Sequence, residues 1–384
     1  MLFDREGDKV LTGKWVATSP NVTLQCLFAQ RDLPGELPEG QPGNLESVYP
    51  AVIEMYAGTP VIASARSVEI QDNESDALRA AAIELTLADG RKDLCFSGGR
   101  ADRVRRLAGG MTASADFAYL STDAAGLRQA QVVGGVGLTH PALVSLAPVA
   151  AQRAGKVVEV SYFDKKIVVE GMAVENAALL KGALVELGHA DHLTSYTVRE
   201  ASVAGRRVTL TLDKGADFYS SRVEDVNAAT GVVRCGLGFP TDDSVVFPGM
   251  SKGLVASNEA LTRFWRAEFL GGTREEGYSF KLTGAPVAAA DFGEKGGLRI
   301  WEFGVGDEAR IATHAALRRN DDGTWLFQGD VACAVEMLGG GVELSADGAT
   351  WAPLKSEKLS GNRVRFTLSE ASLANGRLLL RTAK

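Results

Sequence analysis

Histidine and cysteine are scarce in this chain of 384 residues, which contains four of each. The cysteines, Cys26, Cys95, Cys235 and Cys333, lie far apart in the sequence. Structural zinc sites and disulfide frameworks bring cysteines together in recognisable, closely spaced sets, and this spacing indicates neither. Buried free thiols are expected instead.

Long apolar runs and a strong charge of one sign are also missing. No apolar run reaches the roughly 18 to 20 residues that a membrane-spanning helix requires. The 41 basic and 48 acidic side chains give a formal net charge of -7, which provides no basic footprint for a nucleic-acid backbone. With 45% hydrophobic residues, the composition is that of a folded globular protein. We therefore expect no membrane span and no nucleic-acid partner.

The first residues bear on the compartment. Residues 1–9 read Met-Leu-Phe-Asp-Arg-Glu-Gly-Asp-Lys and lack the apolar core of a secretory signal. A cytoplasmic location is one of two alternatives that fit this start. If the chain is a mature piece whose signal was removed, a secreted or periplasmic location is expected instead.

Alternation of apolar and polar residues recurs along the chain and predicts β-strands. Residues 208–212 place valine and leucine on one face and threonine on the other, and residues 364–368 alternate in the same way. Asp89-Gly90 lies between two such segments and is typical of a tight hairpin turn, which needs positive φ angles. No alternation of strands with helices is found. The prediction is an all-β fold, an antiparallel β-sandwich followed by smaller β-barrel or β-sandwich modules.

Residues 257–269 fit two structures. Their apolar residues, from Leu261 to Phe269, have the spacing of a short amphipathic helix that Ser257 would cap. A strand is equally compatible with this segment.

The length exceeds the roughly 250 to 300 residues that one hydrophobic core usually supports. Breaks in the alternation near residues 148–156 and 236–252 predict domain boundaries. The expected domains are a β-sandwich over 1–153, a small β-barrel-like module over 154–238 and a C-terminal β-rich domain over 239–384.

Glycine clusters such as residues 134–137 do not form a nucleotide-binding loop. Such a loop requires a helix directly after the glycines, with Lys-Ser or Lys-Thr in place, to meet the phosphate. The clusters are interpreted as turns and bulges.

One local cluster combines histidine with a carboxylate. His189, Asp191 and His192 could together bind a divalent metal such as zinc, which accepts imidazole and carboxylate ligands. A neutral histidine near Tyr196 could instead exchange protons in an elimination, so His189, His192 and Tyr196 are candidate catalytic residues. A polar turn between two strands is the structural alternative.

Basic residues concentrate at one place, residues 100–106. The guanidinium group matches carboxylate and sulfate oxygens, so an anion contact is one interpretation of this cluster, and a solvated turn is the other. The candidate anion contacts are Arg100, Arg103, Arg105 and Arg106.

Residues 116–130 read Asp-Phe-Ala-Tyr-Leu-Ser-Thr-Asp-Ala-Ala-Gly-Leu-Arg-Gln-Ala and are followed by Val132-Val-Gly-Gly. The segment resembles the C-terminal β-sheet region of heparinase II/III-like polysaccharide lyases, where a strand ends in an Asp-x-x-Gly turn and returns through an apolar strand to Gly-Gly. Residues 182–188 and 194–198 are similar to the small β-barrel module that follows such sandwiches in bacterial carbohydrate-active proteins. The resemblance covers about half the chain. Separately, residues 345–351 nearly match the Asp-box turn of sialidase-like proteins, which predicts a hairpin turn.

The resemblance implies a non-catalytic β-rich scaffold, the glycan-contacting portion of a polysaccharide-lyase-like protein. Its partner would be an acidic polysaccharide or a companion helical lyase domain. In that family the catalytic Asn, Tyr and His come largely from an N-terminal helical toroid, and this chain has no helical half. The family's Gly-His-x-His-Ala-Asp stretch is matched only in part, by residues 188–191.

Two other functions remain open. One is a complete polysaccharide lyase that acts on uronate glycans by β-elimination. The other is a structural protein that self-assembles through exposed sheet edges and forms a homo-oligomer.

Overall fold

Antiparallel strands make up most of the structure, and the predicted all-β class is confirmed. Within the part of the chain that is described, the helical segments are three 3-10 turns, Ala177–Leu180, Ala289–Asp291 and Glu370–Ser372. An N-terminal hairpin pairs β1 (Lys9–Val16) with β2 (Thr23–Gln30). The structure is a computed structural model that describes residues 9–16, 23–30, 52, 54, 58–74, 79–142, 144–189, 192–236, 253–273, 276–293, 296–373 and 376–382.

The first module is a 16-stranded sheet around one hydrophobic core, here called the sandwich. Leu138, Leu317 and Phe327 are fully buried in this core. Its earlier strands are β3 (Ile62–Ser67), β4 (Ile70–Gln71), β5 (Ala81–Leu87), β6 (Lys92–Ser97), β7 (Arg105–Leu107), β8 (Thr112–Asp123), β9 (Gly126–His140) and β10 (Val144–Pro148). Its later strands are β23 (His314–Arg319), β24 (Trp325–Gly329), β25 (Cys333–Leu338), β26 (Val342–Ser345), β27 (Ala352–Leu354), β28 (Ser356–Leu359), β29 (Arg363–Leu368) and β30 (Arg377–Thr382).

Two closed barrels form the other modules. Apolar residues that alternate along each strand point inward and fill each barrel with its own core. The first barrel consists of β11 (Gln152–Ser161), β12 (Lys166–Glu170), β13 (Leu184–His189), β14 (His192–Ala204), β15 (Arg207–Leu212) and β22 (Glu308–Ala312). The second barrel consists of β16 (Asp217–Asn227), β17 (Val232–Cys235), β18 (Leu254–Asn258), β19 (Phe264–Thr273), β20 (Gly277–Thr283) and β21 (Gly297–Trp301).

The three modules are nested, because the second barrel is inserted into the first and the first is inserted into the sandwich. The chain leaves the sandwich at Ala151 and returns at Thr313, whose backbone N donates to the Ala151 carbonyl at 2.9 Å. It leaves the first barrel at Ala216 and returns at Glu302, whose backbone N donates to the Ala216 carbonyl at 3.1 Å. Each insertion therefore begins and ends at hydrogen-bonded neighbours, an arrangement that lets a whole domain be inserted without separating the flanking strands.

Strand pairing crosses both predicted domain boundaries, after residues 153 and 238. β9 pairs with β23, β10 pairs with β25, and β16 pairs with β21. The β-barrel predicted to begin at residue 154 is completed by β22, which comes from the last predicted domain. The breaks in alternation mark places where the chain changes module, but alternation carries no information on which later strand returns to an earlier sheet.

Turn and bulge residues lie where the sequence predicts them. Asp89-Gly90 joins β5 to β6, and Gly90 has a φ of +85°. Gly134 has a φ of +59° beside a bulge between β8 and β9, and a Cβ there would lie 2.2 Å from Oδ2 of Asp116. In the turn after β26, hydrogen bonds from backbone amides lower the pKa of Asp347 to about 2.

Residues 257–269 form a strand hairpin, so the helical alternative for this segment is wrong. Leu261 has a φ of +54°, a left-handed conformation that a right-handed helix does not contain. The side chain of Asn258 accepts hydrogen bonds from the backbone N of Thr262 and of Arg263, at 2.9 and 3.1 Å, and so holds the turn.

We expect the second barrel to be separable from the rest of the chain. Asp217 and Trp301 are paired across β16 and β21, so a two-residue hairpin turn can replace residues 218–300. The deletion variant should unfold in a single cooperative transition, followed by circular dichroism against temperature. Its midpoint should be lower than that of the intact chain, because Val255 of the second barrel contributes to the core of the first. Loss of the cooperative transition would show that the first barrel cannot fold without the second.

Candidate functional site

The candidate catalytic residues His189, His192 and Tyr196 lie on one hairpin of the first barrel, but at different distances from its turn. His189 ends β13 and pairs with His192, whereas Tyr196 pairs with Val185, four positions further along. At about 3.3 Å per residue, the Cα atoms of His189 and Tyr196 are separated by roughly 13 Å along the strands. The two side chains are therefore not brought into one site. Asp191 and the side chain of His192 lie outside the described residues.

Tyr196 is buried inside the first barrel. Its hydroxyl donates a hydrogen bond to Oε2 of Glu302, its ring packs edge-on against Phe303 at 5.3 Å, and Nζ of Lys214 lies 4.8 Å from the ring centre. Burial, and then the hydrogen bond to Glu302, raise the pKa of Tyr196 far above its ordinary value. The phenol is therefore a protonated hydrogen-bond donor to Glu302 within the barrel.

His189 lies near a fully buried carboxylate, Asp307, which joins the two barrels. Its side chain is 55% exposed, and its Nδ1 is 3.9 Å from Oδ1 of Asp307. The same oxygen is 2.5 Å from Nη2 of Arg266 on β19, and Oδ2 accepts the backbone N–H of Gly304 at 2.8 Å. The backbone of Asp307 pairs with Val157 of β11. We call the ion pair of Arg266 and Asp307 the barrel junction.

No group of three or more His, Cys, Asp or Glu side chains is placed to hold a metal ion within the residues described. Asp191 and His192 of the predicted zinc site fall on positions whose side chains are outside that part of the chain. The metal site therefore stays a prediction.

Two of the four candidate anion-binding arginines are directed at a carboxylate of the protein. Arg105 is buried and contacts Glu74 through Nε at 3.1 Å and Nη2 at 2.5 Å, and Nη1 of Arg103 is 2.7 Å from the same side chain. Burial by itself would raise the pKa of Glu74, but its hydrogen bonds and the two positive charges bring the pKa below its ordinary value. Arg106 is exposed on β7, and Arg100 is half-buried. The cluster is thus partly an internal ion pair that holds the loop before β7.

The sequence motifs missed a buried charged contact between the first barrel and the sandwich. Arg153 of β11 is buried, and its Nη2 donates to the Asp330 carbonyl and to Oε1 of Glu370, the latter at 2.8 Å. Its Nη1 donates to the Ala173 carbonyl at 2.5 Å. The other carboxylate oxygen of Glu370 accepts the backbone N–H of Glu175 at 3.2 Å. We call the contact of Arg153 with Asp330 and Glu370 the sandwich junction.

His314 extends the sandwich junction toward solvent. Its Nδ1 is 2.9 Å from Oδ2 of Asp330, and its backbone N donates to Oδ1 of the same residue at 2.9 Å. The hydrogen bond to Asp330 raises the pKa of His314, burial opposes this, and the negative charge of Asp330 adds to the increase. His314 is therefore held more readily in its protonated form than a free histidine.

Only long-range pairing assembles the sandwich junction. Arg153 is separated from Asp330 by 177 positions and from Glu370 by 217. The available local signal was a lone arginine among small residues at positions 150–155, Ala-Ala-Gln-Arg-Ala-Gly. An arginine is exposed in most proteins, so this local sequence indicates neither its burial nor its partner.

Comparisons with family models, with curated proteins and with solved structures gave no match to this chain. The resemblance to heparinase II/III-like lyases therefore stays a prediction. Among the helical segments described, none is long and apolar enough to cross a bilayer.

Replacing Arg153 with leucine should lower the free energy of unfolding by about 3 to 5 kcal/mol, because Glu370 is left buried without its partner. Chemical denaturation measures the change. Arg207→Leu is the matched control, since Arg207 forms an exposed pair with Glu159 and such pairs contribute about 1 kcal/mol or less. Equal effects of the two substitutions would show that the sandwich junction does not stabilise the fold.

The sandwich junction should also make stability depend on pH. Because the pKa of His314 is raised in the folded state, its stabilisation is fully present below the unfolded pKa of about 6.5 and is lost as pH rises through the folded value. Denaturation midpoints across that window should decrease with pH for the intact chain. The decrease should be smaller in His314→Gln. The same pH profile in both proteins would contradict this assignment.

Proposed function

We propose that the chain is a non-catalytic β-rich scaffold that holds three modules in a defined arrangement and presents their surfaces to another macromolecule. The observation that carries this proposal is the placement of buried charge at both places where modules meet. Arg153 spans the sandwich junction, and Arg266 with Asp307 spans the barrel junction.

Buried ion pairs are weak evidence for stability, because removing two charges from water offsets most of their attraction. Their geometric requirements are strict, however, since each donor must find its acceptor. At an interface between modules, this strictness favours one relative orientation over others. A defined orientation is what a scaffold requires, and it supports the non-catalytic interpretation.

The surroundings of the candidate catalytic residues also support this proposal. Elimination beside a uronate requires a base and a group that neutralises the carboxylate. Tyr196 is protonated and bonded to Glu302 in the barrel interior, and His189 lies at another level of the hairpin. Arg103 and Arg105 are already paired with Glu74.

Self-assembly through sheet edges has less support from these strands. Closed barrels have no edges. At the two ends of the main strand path in the sandwich, β27 is three residues long and contains Pro353, and β28 is four residues long and contains Glu357 and Lys358. Short strands, proline and charge are the features that prevent edge pairing. A contact surface elsewhere on the modules is therefore favoured.

The scaffold proposal predicts one narrow distance between the second barrel and the sandwich. Spin labels at Leu270→Cys and Leu338→Cys, both exposed positions, would measure it by pulsed electron paramagnetic resonance, with other label-accessible cysteines replaced. Arg153→Leu should broaden the distance distribution, because a buried charged contact that helps to orient the first barrel on the sandwich is lost. Arg207→Leu should leave the distribution narrow.

A broad distribution in the unmodified background would contradict a scaffold of fixed geometry. Catalysis is tested separately by the ultraviolet absorbance of unsaturated uronate products on a panel of acidic polysaccharides. An absorbance increase that Tyr196→Phe abolishes and Tyr219→Phe, at a buried tyrosine of the second barrel, does not abolish would favour the lyase alternative.

A further inference from the structure

Four aromatic rings run across the boundary between the two barrels. Phe163 contacts Trp301 edge-on at 6.4 Å, Trp301 stacks on Tyr162 at 3.9 Å, and Tyr162 stacks on Phe264 at 6.2 Å. The two inner rings are buried, whereas Phe163 is 68% and Phe264 is 45% exposed. Val305, which is 61% exposed, follows Gly304, where a Cβ would lie 3.2 Å from the Tyr162 hydroxyl, and its carbonyl accepts a hydrogen bond from Arg266. We call Phe163, Phe264 and Val305 the aromatic surface.

Positive charge borders the aromatic surface. The guanidinium carbon of Arg299 lies 5.7 Å from the ring centre of Phe163, and Nε of Arg299 is buried with no hydrogen-bond partner among the described residues. A shallow cleft next to Tyr162 is lined by the lysines Lys165, Lys166 and Lys214. In the same turn the carboxylate of Asp164 accepts a hydrogen bond from Ser161.

The exposed parts of these rings are apolar. The hydroxyl of Tyr162 donates to the Phe303 carbonyl at 2.9 Å, and the indole N–H of Trp301 donates to Oγ of Ser257 at 2.9 Å. The polar groups of the inner rings are thus used inside the protein. Phenylalanine and valine present no polar group for a sugar hydroxyl, but they fit the apolar core of a protein–protein interface.

A two-fold contact between copies of this surface is disfavoured. Such symmetry brings the patch of one copy against the same patch of the other, so the excess of positive charge from Arg299 and the three lysines over Asp164 would meet a second excess of the same sign. Like charges brought together across an interface oppose binding. The positive charge beside the aromatic surface therefore favours an acidic partner that is not a second copy of this chain.

We propose that the aromatic surface docks an acidic segment of another protein, with an aliphatic or aromatic side chain between Phe163 and Phe264 and a carboxylate on Arg299. This inference rests on the proposed scaffold function and names the chemistry of the partner. Phe163 comes from the first barrel and Phe264 from the second. The surface is thus complete only when the barrel junction holds the two barrels together.

Selection of short random peptides displayed on phage, with the full chain as bait, tests the proposal. The enriched peptides should combine Asp or Glu with Phe, Leu or Trp. Their affinity, measured with synthetic peptides by fluorescence anisotropy, should fall at least about tenfold for Phe163→Ser and for Arg299→Gln, as for central residues of an interface. Leu270→Ser is the control at an exposed apolar position of the second barrel, and it should leave the affinity unchanged.

Enrichment of neutral or basic peptides would overturn the proposal, as would acidic peptides whose affinity neither variant changes. Binding of polygalacturonate that Phe163→Ser abolishes would assign the surface to an acidic glycan instead. Self-association in sedimentation velocity that Phe163→Ser abolishes would assign it to a second copy of the chain. The spin-label distance is independent of all these results, so failure of this inference and failure of the scaffold proposal are distinguishable.

Discussion

The buried contacts of Arg153 help to fix how the two barrels are positioned on the sandwich. The chain passes between the sandwich and the first barrel at Ala151 and at Thr313, and the second barrel is inserted into the first. The sandwich and the first barrel also meet where Leu179 packs against the sandwich core and where Asn176 donates to the Leu373 carbonyl. Two strand connections alone would leave the first barrel free to pivot about them. Arg153 restricts this motion because its guanidinium contacts the Asp330 carbonyl and the Glu370 carboxylate at once. Both contacts are buried, so water cannot replace them without opening the interface.

The barrel junction also uses a buried charge to orient one module on another, here the second barrel on the first. Asp307 is fully buried, contacts Arg266 of the second barrel and belongs by its backbone to the first. The stacked rings of Tyr162 and Trp301 add apolar contact at the same place. Directional charge and apolar packing therefore act together at the barrel junction, and Phe163 and Phe264 of the aromatic surface contact these two rings. A surface built from two modules can form only if their relative orientation is fixed.

This arrangement also explains why residue types that suggest chemistry are weak guides to function here. Tyr196, Arg105 and Glu74 would each suit a catalytic or anion-binding site. In the folded chain Tyr196 is bonded to Glu302, and Arg105 to Glu74, so their polar groups satisfy one another. Burial of charge in an all-β protein requires such partners, since strands supply few backbone groups beyond those already used by the sheet. Composition reveals the polar residues but not whether they meet each other or a ligand.

The all-β class, the hairpin turn at Asp89-Gly90 and the alternating strands can be predicted from local sequence, because they depend on neighbours within a few positions. Local sequence left residues 257–269 undecided, since helical and strand periodicity overlap in a short apolar segment, and the positive φ of Leu261 is a property of the folded turn. Long-range contacts, in contrast, appear first in the folded chain: β22 closes a barrel that begins at β11, and Arg153 contacts Glu370, 217 positions away. Pairing at such separations depends on which surfaces are complementary after the local elements form, and no local pattern encodes that choice.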